Sequence, residues 1–139
     1  QVDGVGVVDA YRRQFRPSAR CPEPRVLVCA AAVVADTDEE AEAIAASVRA
    51  WRAAGLRGPI PAGSGGSTPV PLTVRPGRRS IANGSPGRVA EKLQGMIDGF
   101  GAEEMMVVTI CHDHEARVHS YELLAREFGL DAGTVEAPR

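Results

Sequence analysis

Apolar residues recur every three or four positions near the start of the sequence and predict a helix there. Val5, Val8, Tyr11 and Phe15 share one face of that helix. Pro17 ends it, because proline disfavours helical geometry in the residue that precedes it. One amphipathic helix is therefore predicted before residue 17.

Two other stretches carry apolar residues without alternation and predict strands. Residues 25–35 form a continuous run rich in valine, and residues 104–110 contain a second run. Strands that are buried on both faces have this pattern, which is typical of a parallel sheet covered by helices. We therefore predict that residues 26–34 and 105–110 are buried, hydrogen-bonded strands that run parallel.

Helical patterns surround these strands. Thr37 and Glu40 have the spacing of a capping box, in which each side chain bonds to the other residue's backbone N–H. The helix that they begin has an apolar face made of Ala41, Ile44, Ala45, Val48 and Trp51.

A third, short strand is predicted at residues 79–83, and another helix follows it. Ser85 is placed to cap that helix, and Pro86 suits its first turn. Its apolar face consists of Val89, Leu93, Met96, Ile97 and Phe100. A last helix over residues 114–128 has an apolar face made of Val118, Tyr121, Leu124, Ala125 and Phe128.

Residues 55–78 are rich in glycine and proline and predict a long flexible loop. Strands and helices alternate on both sides of this loop. Such alternation favours an α/β fold with about three parallel strands and flanking crossover helices.

Composition narrows the function classes. The chain has 139 residues, 44% of them hydrophobic and 24% charged, and a net charge of −2. A net charge this close to zero does not predict binding to nucleic acid or to an acidic membrane. The longest apolar run is well short of the ~20 residues that span a bilayer. Three widely spaced cysteines favour reduced thiols and a cytoplasmic location.

Few residues carry recognisable chemistry. Ser85 lies at a predicted helix start, where backbone N–H groups can hold a phosphate, although capping alone explains a serine there. His112 directly follows a strand and is a candidate to line a ligand pocket, with a plain loop residue as the alternative. Cys111 has no evident partner base and is expected to be inert. No spacing of histidines and cysteines matches a metal site, so none is predicted.

Five blocks, in the same order along the chain, resemble the end of luciferase-like flavin-dependent monooxygenases, the bacterial luciferase superfamily. They are residues 11–18 (YRRQFRPS), 33–41 (VVADTDEEA), 84–86 (GSP) with Val89 and Leu93, 103–107 (EEMMV), and 113–117 (DHEAR) with 120–124 (SYELL). Residues 57–80 depart from the family pattern.

The resemblance implies a fold and an activity. Such enzymes are (β/α)₈ barrels of about 250 residues, so residues 1–139 would form the C-terminal part of a TIM-type barrel. The parent enzyme would use reduced FMN, or a deazaflavin, and oxygen to oxidise a small-molecule substrate. No residue here matches the family's flavin-phosphate contacts, so Ser85 and His112 are candidate cofactor-binding residues from their positions alone, and the catalytic residues are unknown.

The alternative is a non-catalytic α/β binding or scaffold module derived from such a barrel. An open set of barrel strands would leave unpaired edges, so self-association is expected in either case.

Overall fold

The computed structural model describes residues 4–53, 55, 58–60 and 81–130. Helices and strands alternate in it: α1 (Gly4–Gln14), β1 (Leu27–Val34), α2 (Asp38–Ala53), β2 (Ala82–Gly84), α3 (Pro86–Phe100), β3 (Glu104–Val108) and α4 (His114–Glu127). The predicted order of elements is confirmed. Most of the predicted loop at residues 55–78, and residues 79–80 of the predicted third strand, lie outside the described residues.

The strands form one parallel sheet in the order β2–β1–β3. Residues 27–31 of β1 pair with residues 104–108 of β3, and residues 32–34 of β1 pair with residues 82–84 of β2. The predicted parallel pairing is confirmed. In a barrel built from consecutive strands, β2 would lie between β1 and β3, whereas here β1 lies between β2 and β3.

One face of the sheet packs against α3 and α4 and forms the core. Its buried members are Ala30, Ala32, Val34, Val89, Leu93, Leu123 and Leu124. The β1 members are alternate residues, because side chains along a strand point to opposite faces. Met105 and Val107 of β3 lie partly buried against the same core.

The other face of the sheet is exposed over its amino-terminal half in the part of the chain that the structure describes. We call it the open face: Leu27, Cys29 and Met106 are exposed there, and Ala31 and Val108 are half-buried. Leu27 is 52% exposed and Met106 is 53% exposed. The prediction that both strands are buried on both faces is therefore wrong, because helices cover only one face at this end of the sheet.

Helix α1 lies where it was predicted, but its apolar face is not buried. None of its residues is buried, and Tyr11 is 40% exposed. A cation attaches this helix to the end of α3: Arg12 Nη2 donates hydrogen bonds to the carbonyl oxygens of Phe100 and Gly101, at 3.0 and 2.6 Å. A positive charge at a helix carboxyl end is favourable, because the helix dipole is negative there.

Helix α4 buries a face that is rotated from the one predicted. Its buried residues are Ser120, Leu123 and Leu124, so the prediction is confirmed for Leu124, whereas Val118 and Tyr121 are each 41% exposed. The apolar spacing missed part of this face because a buried serine, which the pattern treats as polar, bonds to the sheet.

Candidate functional site

The carboxyl ends of the three strands lie at one edge of the sheet, where ligands of parallel α/β proteins usually bind. β1 leads to Asp36 there, β2 leads to Ser85, and β3 leads through Thr109 to His112. We therefore take this edge as the candidate functional site, and three polar clusters occupy it.

The first cluster holds an internal carboxylate at the start of α3. The Ser85 backbone N–H donates to Asp38 Oδ1 at 2.7 Å, and Arg88 Nη1 donates to Asp38 Oδ2 at 2.7 Å. Ser85 is the N-cap residue, as predicted, but its hydroxyl makes no capping hydrogen bond to the helix. The predicted side-chain cap is therefore wrong, and the N-cap residue is instead bonded through its backbone N–H to a carboxylate from α2.

Asp38 is held as an anion. The Ser85 backbone N–H, and then the Arg88 guanidinium, lower the pKa of the Asp38 carboxyl from 3.8 to about 2. Hydrogen bonds that are donated to the charged form of a carboxyl favour that form. Asp38 therefore carries a full negative charge at neutral pH.

Gly84 permits the close approach of this carboxylate. Its φ of +146° is rarely adopted by other residues, and a Cβ built on it would lie 2.8 Å from Asp38 Oδ1. Gly84 is buried, so the backbone has little room to move away. Glycine at this position is thus explained by the carboxylate beside it.

A polar groove runs beside this cluster. It is lined by Asp38, Glu39, Glu42, Asn83, Arg88 and Lys92. Asn83 Nδ2 donates to Glu42 Oε2 at 2.8 Å, and Lys92 Nζ donates to the carbonyl oxygen of Asn83 at 3.1 Å. Asp38, Glu42, Asn83, Arg88 and Lys92 of this groove are therefore already engaged in hydrogen bonds within the protein.

The second cluster lies where β1 and β3 diverge. The Val34 N–H donates to Ser120 Oγ at 2.9 Å, and the Thr109 N–H donates to the Tyr121 hydroxyl at 2.9 Å. Both acceptors belong to α4. Beyond the last β1–β3 pair, this helix therefore supplies the partners that a neighbouring strand would otherwise provide.

The third polar cluster joins the end of β1 to α4. His119 Nε2 lies 3.0 Å from Asp36 Oδ2, and His119 Nδ1 lies 3.9 Å from Glu122 Oε2. The His119 side chain is 41% exposed, so the pair is screened by water and contributes little stability.

The β3–α4 connection carries the remaining candidates. Cys111 Sγ donates to the carbonyl oxygen of Asp113 at 3.1 Å, and burial raises the pKa of the Cys111 thiol. A protonated thiol is a poor nucleophile, in agreement with the expectation that Cys111 is inert. Asp113 caps α4 by accepting from the Ala116 N–H at 2.8 Å.

Ser85 and His112 lie on different strand–helix connections at this edge. Ser85 is half-buried, and its N–H is engaged by Asp38. His112 is exposed, and no described residue bonds to it. No hydrogen bond joins the two within the described ranges, so the structure does not combine them into one site.

Sequence reasoning missed several residues that organise this edge. Asp113 had a local signal, since an aspartate before a helix is a favoured cap. Asp38, Ser120 and Tyr121 act on residues far away in sequence, and no spacing could reveal those contacts.

The described residues contain no group of three or more histidine, cysteine or acidic side chains that could hold a metal ion. No helix in those ranges has both the length and the apolar character that crossing a membrane requires.

The chain is similar to part of several longer proteins. It is 33% identical over 134 residues to YwcH, an uncharacterised protein of Bacillus subtilis, a match that covers 90% of this chain and 40% of YwcH. It is 29% identical over 126 residues to a luciferase-like monooxygenase of Escherichia coli K12, covering 81% of this chain and 36% of that protein. No protein-family model matches.

One solved structure has the same fold over most of the chain. The crystal structure of apo-MsnO8 superimposes with a TM-score of 0.78 at 32% sequence identity, over 91% of this chain and 41% of that one. The chain therefore spans about 40% of the length of these relatives. Its α/β fold corresponds to a part of a larger protein.

Proposed function

We propose that this chain is the C-terminal part of a luciferase-like monooxygenase that uses reduced flavin, FMN or a deazaflavin, and oxygen. The similarity to the luciferase-like monooxygenase of Escherichia coli over 126 residues carries this proposal. The fold shared with apo-MsnO8 supports it. The substrate would be a small molecule, and the location would be the cytoplasm.

The described residues do not build a flavin site by themselves. A flavin phosphate at Ser85 would meet the Asp38 carboxylate, which already accepts the N–H that the phosphate needs. His112 is the remaining candidate, because it is exposed beside the strand ends and no described residue bonds to it. We assign it no catalytic step.

Catalysis would therefore depend on residues outside this chain. A barrel enzyme draws its catalytic groups from the ends of several strands, and three strands are described here. When bound, the flavin supplies the reaction with oxygen, and the protein positions it and excludes water. We expect the isolated 139 residues to bind flavin weakly and to be inactive.

A non-catalytic module that associates with other chains is the second candidate. The open face favours it, because Leu27 and Met106 are apolar and about half exposed. Soluble monomers rarely leave contiguous apolar surface uncovered. The same face would also be covered if further strands of a barrel packed against it.

The test compares two proteins: the purified 139-residue chain, and the product of the complete reading frame that encodes it. Each is titrated with oxidised and reduced FMN, followed by flavin absorbance, and assayed for oxidation of a long-chain aldehyde. We expect binding by the longer product alone. Tight stoichiometric binding with turnover by the isolated chain would contradict its incompleteness. If no longer product exists, and the 139-residue chain binds neither oxidised nor reduced FMN, the enzymatic proposal fails in favour of the scaffold.

A further inference from the structure

We infer that Asp38 is a built-in anion that occupies the start of α3 and excludes phosphate groups, the flavin phosphate included, from Ser85 and Arg88. The inference rests on the proposed function only where it names the flavin. Its structural part concerns any external phosphate.

The geometry of the carboxylate is that of a bound anion. One oxygen accepts from the backbone N–H at the start of α3, and the other accepts from a guanidinium on the first turn of that helix, both at 2.7 Å. Helix N-termini attract anions because their N–H groups lack partners and the dipole is positive there. Asp38 supplies a negative charge there and accepts the N–H of the N-cap residue Ser85 from within the chain.

The surroundings fit a carboxylate closely. The Gly84 backbone comes so near to Asp38 Oδ1 that even one added methyl group would lie 2.8 Å from it. A phosphate has more oxygens and greater volume than a carboxylate. An external phosphate therefore has to displace Asp38 and break two charge-assisted hydrogen bonds before it can bind.

Asp38 is also a positioning residue for the fold. It lies in the first turn of α2, whereas its partners lie 47 and 50 residues later, at the start of α3. The contact joins the two helices that flank β2. A ligand that released Asp38 would therefore loosen α2 from α3, which further opposes phosphate binding.

The experiment follows the Ser85 amide and the Arg88 side-chain Nε–H by ¹⁵N NMR while inorganic phosphate is added to the 139-residue chain. Sodium chloride of matched ionic strength is the control titration. We expect no saturable shift in the wild type. In Asp38→Asn, which keeps the shape and removes the charge, we expect a saturable phosphate shift at the Ser85 amide. Glu39→Gln, a neutralised carboxylate in the same turn, should behave like the wild type.

Two results would overturn the inference. One is a saturable phosphate shift at Ser85 in the wild type, and the other is an Asp38→Asn protein that is as indifferent to phosphate as the wild type. If Asp38→Asn does not fold, the carboxyl ¹³C titration of wild-type Asp38 decides. A pKa near the ordinary aspartate value would show that the carboxylate is not held, whereas a pKa near 2 supports the inference.

A parallel FMN titration of the longer product separates this inference from the proposed function. Flavin binding without direct perturbation of Ser85 supports both. Flavin binding with phosphate contact at Ser85 overturns the inference alone. Absence of flavin binding, with the phosphate results as expected, counts against the proposed function alone.

Discussion

Individual residues of this protein show how far local sequence signals reach. Thr37 and Glu40 form the predicted capping box, with both backbone-to-side-chain bonds at 3.2 Å. That motif was predictable because both partners lie within one turn. Ser85 was correctly placed at a helix start, but its bond to Asp38 crosses 47 residues. Only the folded chain brings those two residues together.

The two N-cap residues of α3 and α4 should differ in their effect on stability. Asp113→Ala removes a real cap bond to Ala116 and should lower the free energy of unfolding by about 1 kcal/mol. Ser85→Ala removes a hydroxyl that makes no cap bond and should change it by less than about 0.5 kcal/mol. Urea denaturation of both variants measures the difference, and equal losses would contradict the assignment.

Asp38 should make the protein sensitive to acid. Its pKa is about 2 in the folded protein and 3.8 ordinarily. A lowered folded-state pKa stabilises the protein above the ordinary value, and this contribution is lost as the pH falls from 3.8 towards 2. Asp38→Asn should therefore destabilise the protein at about pH 7. From there to about pH 3, the variant should lose less stability than the wild type does.

Urea midpoints measured across this pH range provide the check, with Glu39→Gln as the matched control. A loss of stability in acid that is as steep in Asp38→Asn as in the wild type would show that other carboxyls cause it.

At the scale of elements, the helix and strand positions were predictable, and so were the buried faces of α2 and α3. The buried faces of α1 and α4 were not. Helix α4 begins at His114 as predicted, and alternation of helix and strand correctly predicted parallel pairing. The way α4 packs on the sheet depends on Ser120 and Tyr121, which bond to backbone groups of β1 and β3. Periodicity treats a serine as a surface residue, so it predicted Leu124 of this face correctly but missed Ser120.

Ser120→Ala should be costly for a small substitution. Ser120 is 1% exposed, and its hydroxyl accepts from the Val34 N–H, so alanine would leave a buried donor without a partner. The expected loss is about 1–3 kcal/mol. Ser47→Ala is the control. Ser47 is 9% exposed, but its hydroxyl donates to the carbonyl oxygen of Ile44 in its own helix. Comparable small losses in both variants would contradict the role of Ser120 as a partner of β1.

At the scale of the whole molecule, the fold class was predictable and the strand order was not. Apolar runs and capping signals were sufficient for an α/β fold with parallel strands. They contain no information on which strand lies in the middle, a position that β1 takes. Nor could they show that one face of the sheet near Leu27 and Met106 lacks cover among the described residues.

We propose that the open face makes the isolated chain self-associate. The double variant Leu27→Ser with Met106→Ser should remain monomeric at concentrations where the wild type forms larger species, because it removes apolar surface from that face. Leu130→Ser is the control, since Leu130 is 68% exposed and lies outside the open face. Sedimentation velocity measures the outcome, and equal association of all three proteins would contradict the proposal.

The central position of β1 has a consequence for how the chain folds. Both partners of β1 follow it by many residues, and the Val34–Ser120 bond spans 86. Contacts so distant in sequence form slowly, because the chain between them loses entropy before the contact stabilises anything. During refolding, the valine-rich β1 therefore stays unpaired for longer than the helices take to form. Refolding yield should fall as protein concentration rises, since unpaired apolar strands aggregate.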